Sequence, residues 1–332
     1  IMENYNFLNN KVVLITGGTG SFGGKMLSFL SHIKKIKKII IFSRDELKQF
    51  ELQKHFNSKK IRYFIGDVRD YDRVYKALNG VDIVIHAAAL KQVTTAEYNP
   101  GEAVKTNILG VNNIVEAGIM RKVEKIINLS TDKACAPINL YGATKLVADK
   151  LITAANYNKG SSKTILSSVR YGNVINSRGS VIPIFKEMIK NNKSITLTDK
   201  NTTRFFLTLD DGVKFVIQSL RKMIGGEIFI PKLKSIKIYD LIDCLDNKNK
   251  VNIIGMRPGE KIHEMLFSKD DSRNVVETKD HYILLNSNEN LKLYLKKVKK
   301  GYKRINTISD YSSETSIKIK KSDLKKMIKK LS

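Results

Sequence analysis

Apolar runs and amphipathic polar stretches alternate along the first half of the chain. Residues 11–16 (KVVLIT) are continuous, β-branched and followed at once by glycines, which predicts a strand buried on both faces. A helix is predicted over 22–33, then a strand at 38–43, a helix at 46–56, a strand at 62–65 and a helix at 71–78. The rhythm continues with a strand at 81–86, a long helix over 100–117, a strand at 125–130, a helix over 140–156 and a strand at 164–171. Strands separated this regularly by helices make βαβ units. The expected class is α/β, with a Rossmann-type doubly wound parallel sheet covered on both faces.

After residue 173 the segments shorten, with strands expected at 194–197 and 227–230. Residues 1–172 are therefore expected to form the Rossmann domain. Residues 173–285 are expected to form mostly a smaller mixed α/β substrate lobe, with some segments returning to the main domain. Residues 286–332 are a basic C-terminal extension, in which Leu324, Met327, Ile328 and Leu331 have helical spacing and would either pack or fray. No fixed-period repeat is present, which argues against a solenoid or propeller.

Composition narrows the class. Of 332 residues, 42% are hydrophobic and 27% charged, as in an ordinary globular protein. No apolar run is long enough to span a membrane. The first residues show no charged-then-apolar signal region, and only Cys135 and Cys244 are present, so a cytoplasmic protein without a disulfide scaffold is expected. The net charge of +27 has two readings: a polyanion partner, or a composition rich in Lys, Ile and Asn. Residues 291–332 alone carry 14 basic and 3 acidic side chains.

The first glycine cluster points to a ligand. Gly17, Gly20 and Gly23, with Thr19, Ser21 and Phe22 between them, close the first strand and open the first helix. Such a turn brings a pyrophosphate against free N–H groups at a helix N-terminus, so a dinucleotide is the expected cofactor. Ser43, Arg44 and Lys48 after the second strand can hold a 2′-phosphate, which favours NADP, although Asp45 or Glu46 could instead face an NAD ribose. Asp67 and Val68 suit the adenine edge. Ala87, Ala88 and Ala89 are small where a backbone must pass close to the cofactor. His86 is expected to be structural, and no metal-ligand cluster is visible.

Tyr141 and Lys145 form a Y-x-x-x-K pair on one helix face. Lys145 is expected to lower the Tyr141 phenol and hold the nicotinamide ribose, with Tyr141 as the base that takes a hydroxyl proton. Leu129, Ser130 and Thr131 end the fifth strand beside the nicotinamide. Lys91 and Val174 complete the expected cofactor lining.

The segments TGGTGSFG (16–23), HAAA (86–89) and Y-x-x-x-K resemble the extended short-chain dehydrogenase/reductase superfamily, which contains nucleotide-sugar epimerases and dehydratases. Within it, SRDELKQFE (43–51), FIGDVRD (64–70), HAAALKQV (86–93), STDKA (130–134), NLYGATK (139–145), RYGNV (170–174), SRGSVIP (177–183) and RPGEKIHE (257–264) are similar to one group. That group is the inverting UDP-N-acetylglucosamine 4,6-dehydratases (5-epimerising) of the pseudaminic acid pathway. The likeness spans roughly residues 8–285.

This resemblance implies conversion of UDP-N-acetylglucosamine to UDP-2-acetamido-2,6-dideoxy-β-L-arabino-hexos-4-ulose. It assigns Lys133 as the base at C5, its amine lowered by burial and by cations such as Lys145. Asp132 becomes the acid for the C6 hydroxyl, and Thr131 a partner of the sugar O4. It places Arg204, Arg257 and Lys91 on the diphosphate or sugar hydroxyls and Glu260 on the uridine ribose. Asn173, Arg178, Gly179, Ser180, Val181, Ile182 and Pro183 would line the nucleotide lobe. A homo-oligomer is implied, with no nucleic-acid or membrane partner. Gln92 and Thr94, and Thr203 and Phe206, depart from the family pattern. Two other readings stand beside this one: a 4-epimerase or dehydratase acting on another UDP-hexose, and a non-enzymatic NADP- or nucleic-acid-binding protein.

Overall fold

In a computed structural model, which describes residues 5–175, 180–245, 250–298 and 301–329, the alternating first half folds into a parallel sheet. Its strands are β1 (Val12–Thr16), β2 (Lys38–Ser43), β3 (Ile61–Ile65), β4 (Ile83–His86), β5 (Lys125–Thr131) and β6 (Ile165–Tyr171), in the order β3-β2-β1-β4-β5-β6. The order reverses between β1 and β4, and the crevice at the strand ends there is where such sheets take ligands.

Alternate residues of each strand feed separate cores. Val13 and Ile15 pack with Met26 and Leu30 of α1 (Ser21–Ser31). Leu14, Val84 and Ile126 pack on the opposite face, with α3 (Tyr71–Ala77), α6 (Gly110–Met120) and α7 (Leu140–Asn158). Asp caps start α2 (Glu46–His55) and α3, Asp45 accepting from the N–H of Lys48 and Asp70 from that of Arg73. Before α6 come α4 (Val93–Tyr98) and α5 (Pro100–Val104). The single long helix expected over 100–117 is interrupted by a π-helical turn, Lys105–Leu109. That turn aims Asn107 at Leu90, whose N–H it accepts and whose carbonyl it bonds, and at the Thr144 hydroxyl 3.0 Å away.

The second half builds a lobe and also widens the sheet. The lobe contains a three-stranded sheet of β7 (Asn173–Val174), β9 (Thr203–Leu207) and β11 (Ser235–Lys237), and a pair, β8 (Ile195–Leu197) with β12 (Val251–Ile253). Helices α8 (Val181–Lys190) and α10 (Ile238–Cys244) close over them, while α9 (Leu209–Lys222) packs back on α1. Strand β10 (Ile228–Pro231) joins β6 in parallel. A loop then leads to β13 (Met265–Phe267) and the short α11 (Lys269–Ser272). Strands β14 (Val275–Glu277) and β15 (His281–Leu284) extend the main sheet antiparallel.

The basic extension is ordered into both parts. After α12 (Asn288–Lys297), β16 (Lys303–Arg304) caps the sheet edge on β14, and β17 (Tyr311–Ser312) pairs with β13. The final helix, α13 (Lys321–Lys329), packs on α10, and Leu331 lies outside the described residues. Its Leu324 and Ile328 enter the lobe's core, and its Lys321 pairs with Asp240 and Asp243.

Candidate active site

One cavity of about 800 Å³ runs from the β1 turn to the lobe. At one end, Gly17 has φ +63°, and a Cβ there would lie 2.9 Å from the Ala88 backbone. The tight turn and the small residues after β4 therefore require each other. Helix α1 starts at Gly20 with no side-chain cap on its first turn, which faces an anion-binding crevice. These features fit a dinucleotide.

Further along this wall, Arg44 lies 3.6 Å from Asp67, and the Lys48 ammonium reaches the Asp45 carboxylate. Burial favours the neutral Asp67 carboxyl, but hydrogen bonds from Arg69 and the charges of Arg69 and Arg44 outweigh it and hold Asp67 below its ordinary value. His86 is buried, with Nδ1 2.8 Å from the Thr16 hydroxyl, which also accepts the N–H groups of Ala87 and Ala88. Burial, and secondarily the Lys145 charge, pull its imidazole down to about 3, so it stays neutral and structural.

The chemistry gathers where β5 ends. The Thr131 hydroxyl donates to Asp132 Oδ1 at 3.0 Å. Asp132 is fully buried, and Lys133 Nζ lies 3.1 Å from its Oδ1 and 3.2 Å from Oε1 of Glu264. Helix α7 comes very close: a Cβ on Gly142 would lie 2.2 Å from the Lys133 carbonyl, so only glycine lets Tyr141 sit beside this turn. Asn139 fixes the same helix start, accepting from the Gly142 N–H and donating to the Gly259 carbonyl at 2.7 Å. It thus ties α7 to the 257–264 segment. Behind them, Asp149 is buried, accepting from Ser130 at 2.8 Å and pairing with Arg170 at 3.0 Å.

Two electrostatic expectations are corrected. Burial does pull the Lys133 amine down, but the carboxylates of Asp132 and Glu264 outweigh it and hold the amine above its usual value. The nearby cation acting on it is Arg204, not Lys145. Tyr141 is pushed up to about 12 by burial, opposed by the Lys133 charge and the neighbouring Thr131 hydroxyl rather than by Lys145. Lys145 itself is pulled down to about 8 by burial, against the attraction of Asp149. Asp132 is raised, first by burial and then by the negative charge of Glu264.

The remaining wall comes from the lobe. Arg204 lies 3.3 Å from Glu260 and 3.9 Å from Glu264, and its guanidinium donates to the carbonyls of Thr203 and Ile262. Three of its five donors are thus taken by the protein's own groups. Arg257 and Lys91 also line the cavity, as do Asn173, Val174, Ser180 and Val181. Two expected residues do not. Helical period turns Val181, Ile184, Phe185 and Met188 toward the cavity, while Ile182 points into the lobe's core and Pro183 lies off the wall. Arg178 and Gly179 lie outside the described residues. Every other residue expected at the site lines this one cavity.

Sequence reasoning assigned no role to Glu264, although it ends the RPGEKIHE segment just before the apolar strand β13. An acid placed there is carried into a buried position, 2% exposed. The departure at Thr203 also acquires partners. Its hydroxyl lies 2.8 Å from His263 Nδ1 and 2.7 Å from the Ser313 hydroxyl, linking the lobe to the C-terminal extension.

Comparison with known proteins agrees with this architecture. The family model described as "Polysaccharide biosynthesis protein" matches residues 13–286. The chain is 53% identical over 277 residues to a UDP-N-acetylglucosamine 4,6-dehydratase (inverting) of Campylobacter jejuni, covering 83% of each chain. It is 41% identical to a UDP-glucose 4-epimerase of Rickettsia massiliae, covering 96% of this chain and 95% of that one. The X-ray structure of Pen from Bacillus thuringiensis superposes with a TM-score of 0.91 at 42% identity, covering 98% of this chain and 100% of that one. The chain therefore belongs to the polysaccharide biosynthesis protein family and is a relative of its inverting UDP-N-acetylglucosamine 4,6-dehydratases.

Proposed function

We propose that this chain is an inverting UDP-N-acetylglucosamine 4,6-dehydratase, a hydro-lyase that uses NADP and opens a route to pseudaminic acid-type glycans. The observation that carries the reading is the Lys133 amine, held beside the buried Asp132 in the same cavity as Tyr141 and the glycine turn. A 4-epimerase only oxidises and reduces C4. It has no use for a base and an acid beside C5 and C6.

When bound, the dinucleotide supplies the redox chemistry, taking hydride from C4 and returning it to C6. Tyr141 takes the C4 hydroxyl proton, assisted by the Lys133 charge and the Thr131 hydroxyl, which act against its burial. Lys133, after passing its own proton to Asp132, takes the C5 proton that the C4 ketone has made acidic. Asp132 gives its proton to the C6 hydroxyl, which leaves as water. Lys133 then reprotonates C5 from the opposite face, inverting that centre.

Arg257 and Lys91 are the side chains we assign to the diphosphate, and Glu260 to the uridine ribose. Arg44, 52% exposed at the cavity wall, is the group we assign to the 2′-phosphate. Exposed Val104, Leu109 and Val147 on adjoining helical segments form the surface we assign to self-association. Among the described residues, no helix is long and apolar enough to cross a membrane.

The test is incubation of the protein with NADP and UDP-N-acetylglucosamine in deuterated water. A 4-keto-6-deoxy product with solvent deuterium at C5 and inverted C5 configuration supports the reading. The likeness to a UDP-glucose 4-epimerase over nearly the whole chain favours 4-epimerisation as the second reading. A C4 epimer with its C6 hydroxyl intact would establish that one instead.

A further inference from the structure

We propose that Glu264 is a positioning residue for Lys133: gripped through its backbone by Ser313 and approached at its carboxylate by Arg204, it seats the amine and leaves Asp132 as the carboxylate that carries the transferred proton. This rests on the dehydratase reading above and adds a residue to it.

The geometry is a three-membered cluster. Lys133 Nζ sits between two carboxylates, 3.1 Å from Asp132 and 3.2 Å from Glu264. Both acids are buried, and among the described residues Asp132 Oδ2 and Glu264 Oε2 have no hydrogen-bond partner. Glu264 is held on both sides of its backbone: its N–H donates to the Ser313 hydroxyl at 2.9 Å, and its carbonyl accepts from the Ser313 N–H at 2.8 Å. Ser313 is fully buried beside β17. The Glu264 backbone is therefore fixed, and its buried carboxylate is directed at Lys133 and Arg204.

The two acids differ in their surroundings. Glu264 faces Lys133, Arg204 and Lys261, and these cations hold it ionised against its burial. Burial raises the Asp132 carboxyl, and the negative charge of Glu264 adds to it, against the attraction of Lys133. When the amine gives up a proton, Asp132 is the acceptor: an N–H bond of Lys133 breaks and an O–H bond of Asp132 forms. The neutral amine keeps its seat by donating to Glu264.

The remaining steps balance. Lys133 takes the C5 proton and returns a proton to C5, while Asp132 loses its proton to the departing water. Tyr141 ends with the C4 hydroxyl proton. Thr131, whose hydroxyl donates to Asp132 and acts on the Tyr141 phenol, offers the path by which that proton restores Asp132.

The experiment compares the full-length wild type with Glu264→Gln and Glu264→Asp. Lys133 acetylation by acetic anhydride is followed by mass spectrometry from pH 6 to 11, without cofactor or substrate. With the Gln variant, the onset of Lys133 labelling should move at least about one pH unit lower. With the Asp variant, which keeps the charge, it should stay within a few tenths of a unit. Turnover of UDP-N-acetylglucosamine by the Gln variant should fall about 100-fold at a KM within threefold, with its pH optimum moved toward acid. Reduced dinucleotide should build up at 340 nm because oxidation at C4 still proceeds. If Glu264→Gln fails to fold, a Glu264→Asp variant that labels Lys133 at markedly lower pH overturns the idea. So does a folded Gln variant with wild-type labelling onset. The labelling result is independent of the reaction catalysed, so failure of the dehydratase reading appears separately, as a wild-type protein that makes no 4-keto-6-deoxy sugar.

Discussion

The half of the cavity proposed for the dinucleotide takes its walls from the ends of β1, β2, β3 and β4, each a short local motif following its own strand. The half proposed for the sugar draws Lys133 from after β5, Arg204 from β9, Glu264 from before β13 and, behind Glu264, Ser313 from the C-terminal extension. The first half is set by backbone shape: a left-handed glycine, small alanines and an uncapped helix start. The second is set by buried charge, one amine and two carboxylates whose protonation depends on one another. A backbone-built site is legible one turn at a time. A charge-built site exists only after distant segments have met.

Substitutions can break this comparison, beginning with the strongest. Lys133→Ala should lower turnover by about 10³-fold while leaving the dinucleotide Kd within about twofold. Equal losses in both would mean that the halves are not separable. Next, Leu324→Ala removes a side chain that is 1% exposed in the lobe's core. It should cost about 2–4 kcal/mol in denaturant unfolding and weaken sugar-nucleotide binding, with dinucleotide binding retained below the transition. Arg44→Ala should raise the NADP Kd by about 10-fold or more and change the NAD Kd little, read by fluorescence titration. An equal effect on both would remove the 2′-phosphate assignment.

The smallest effect sharpens the contrast through pH. Burial holds Lys145 down to about 8, so its charge is present below that value and lost as pH rises through it. Dinucleotide affinity should weaken by a few-fold between about pH 7 and 9, because the neutral amine no longer attracts the anionic cofactor. Lys133, which its two carboxylates hold above the usual lysine value, should keep its proton across that range.

Much of the architecture was legible in residue order. The strands at 38–43 and 125–130 coincide with β2 and most of β5, because a run of β-branched residues buried on both faces has few alternatives. The helix over 100–117 was not legible in detail. The Asn107 side chain binds Leu90 across a π-helical turn, a tertiary contact that local periodicity does not record. Ile182 and Pro183 were grouped with their cavity neighbours because a motif is contiguous, whereas a helix shows only one face. The electrostatics of Lys133 depended on Glu264, an acid far along the chain whose approach no spacing encodes. The departure at Thr203 was visible as an oddity, but its partners, His263 and Ser313, appear only once β17 has paired.

The grip of Ser313 on Glu264 has a consequence for synthesis. A ribosome delivers Asp132, Lys133 and Tyr141 well before Ser313 emerges. A nascent chain halted between Glu264 and Ser313 has every side chain of the amine cluster, yet its Glu264 lacks the backbone clasp of Ser313. On the proposed role of Glu264, such a chain would carry the amine cluster without its clasp, and elimination would wait for the last residues to be made.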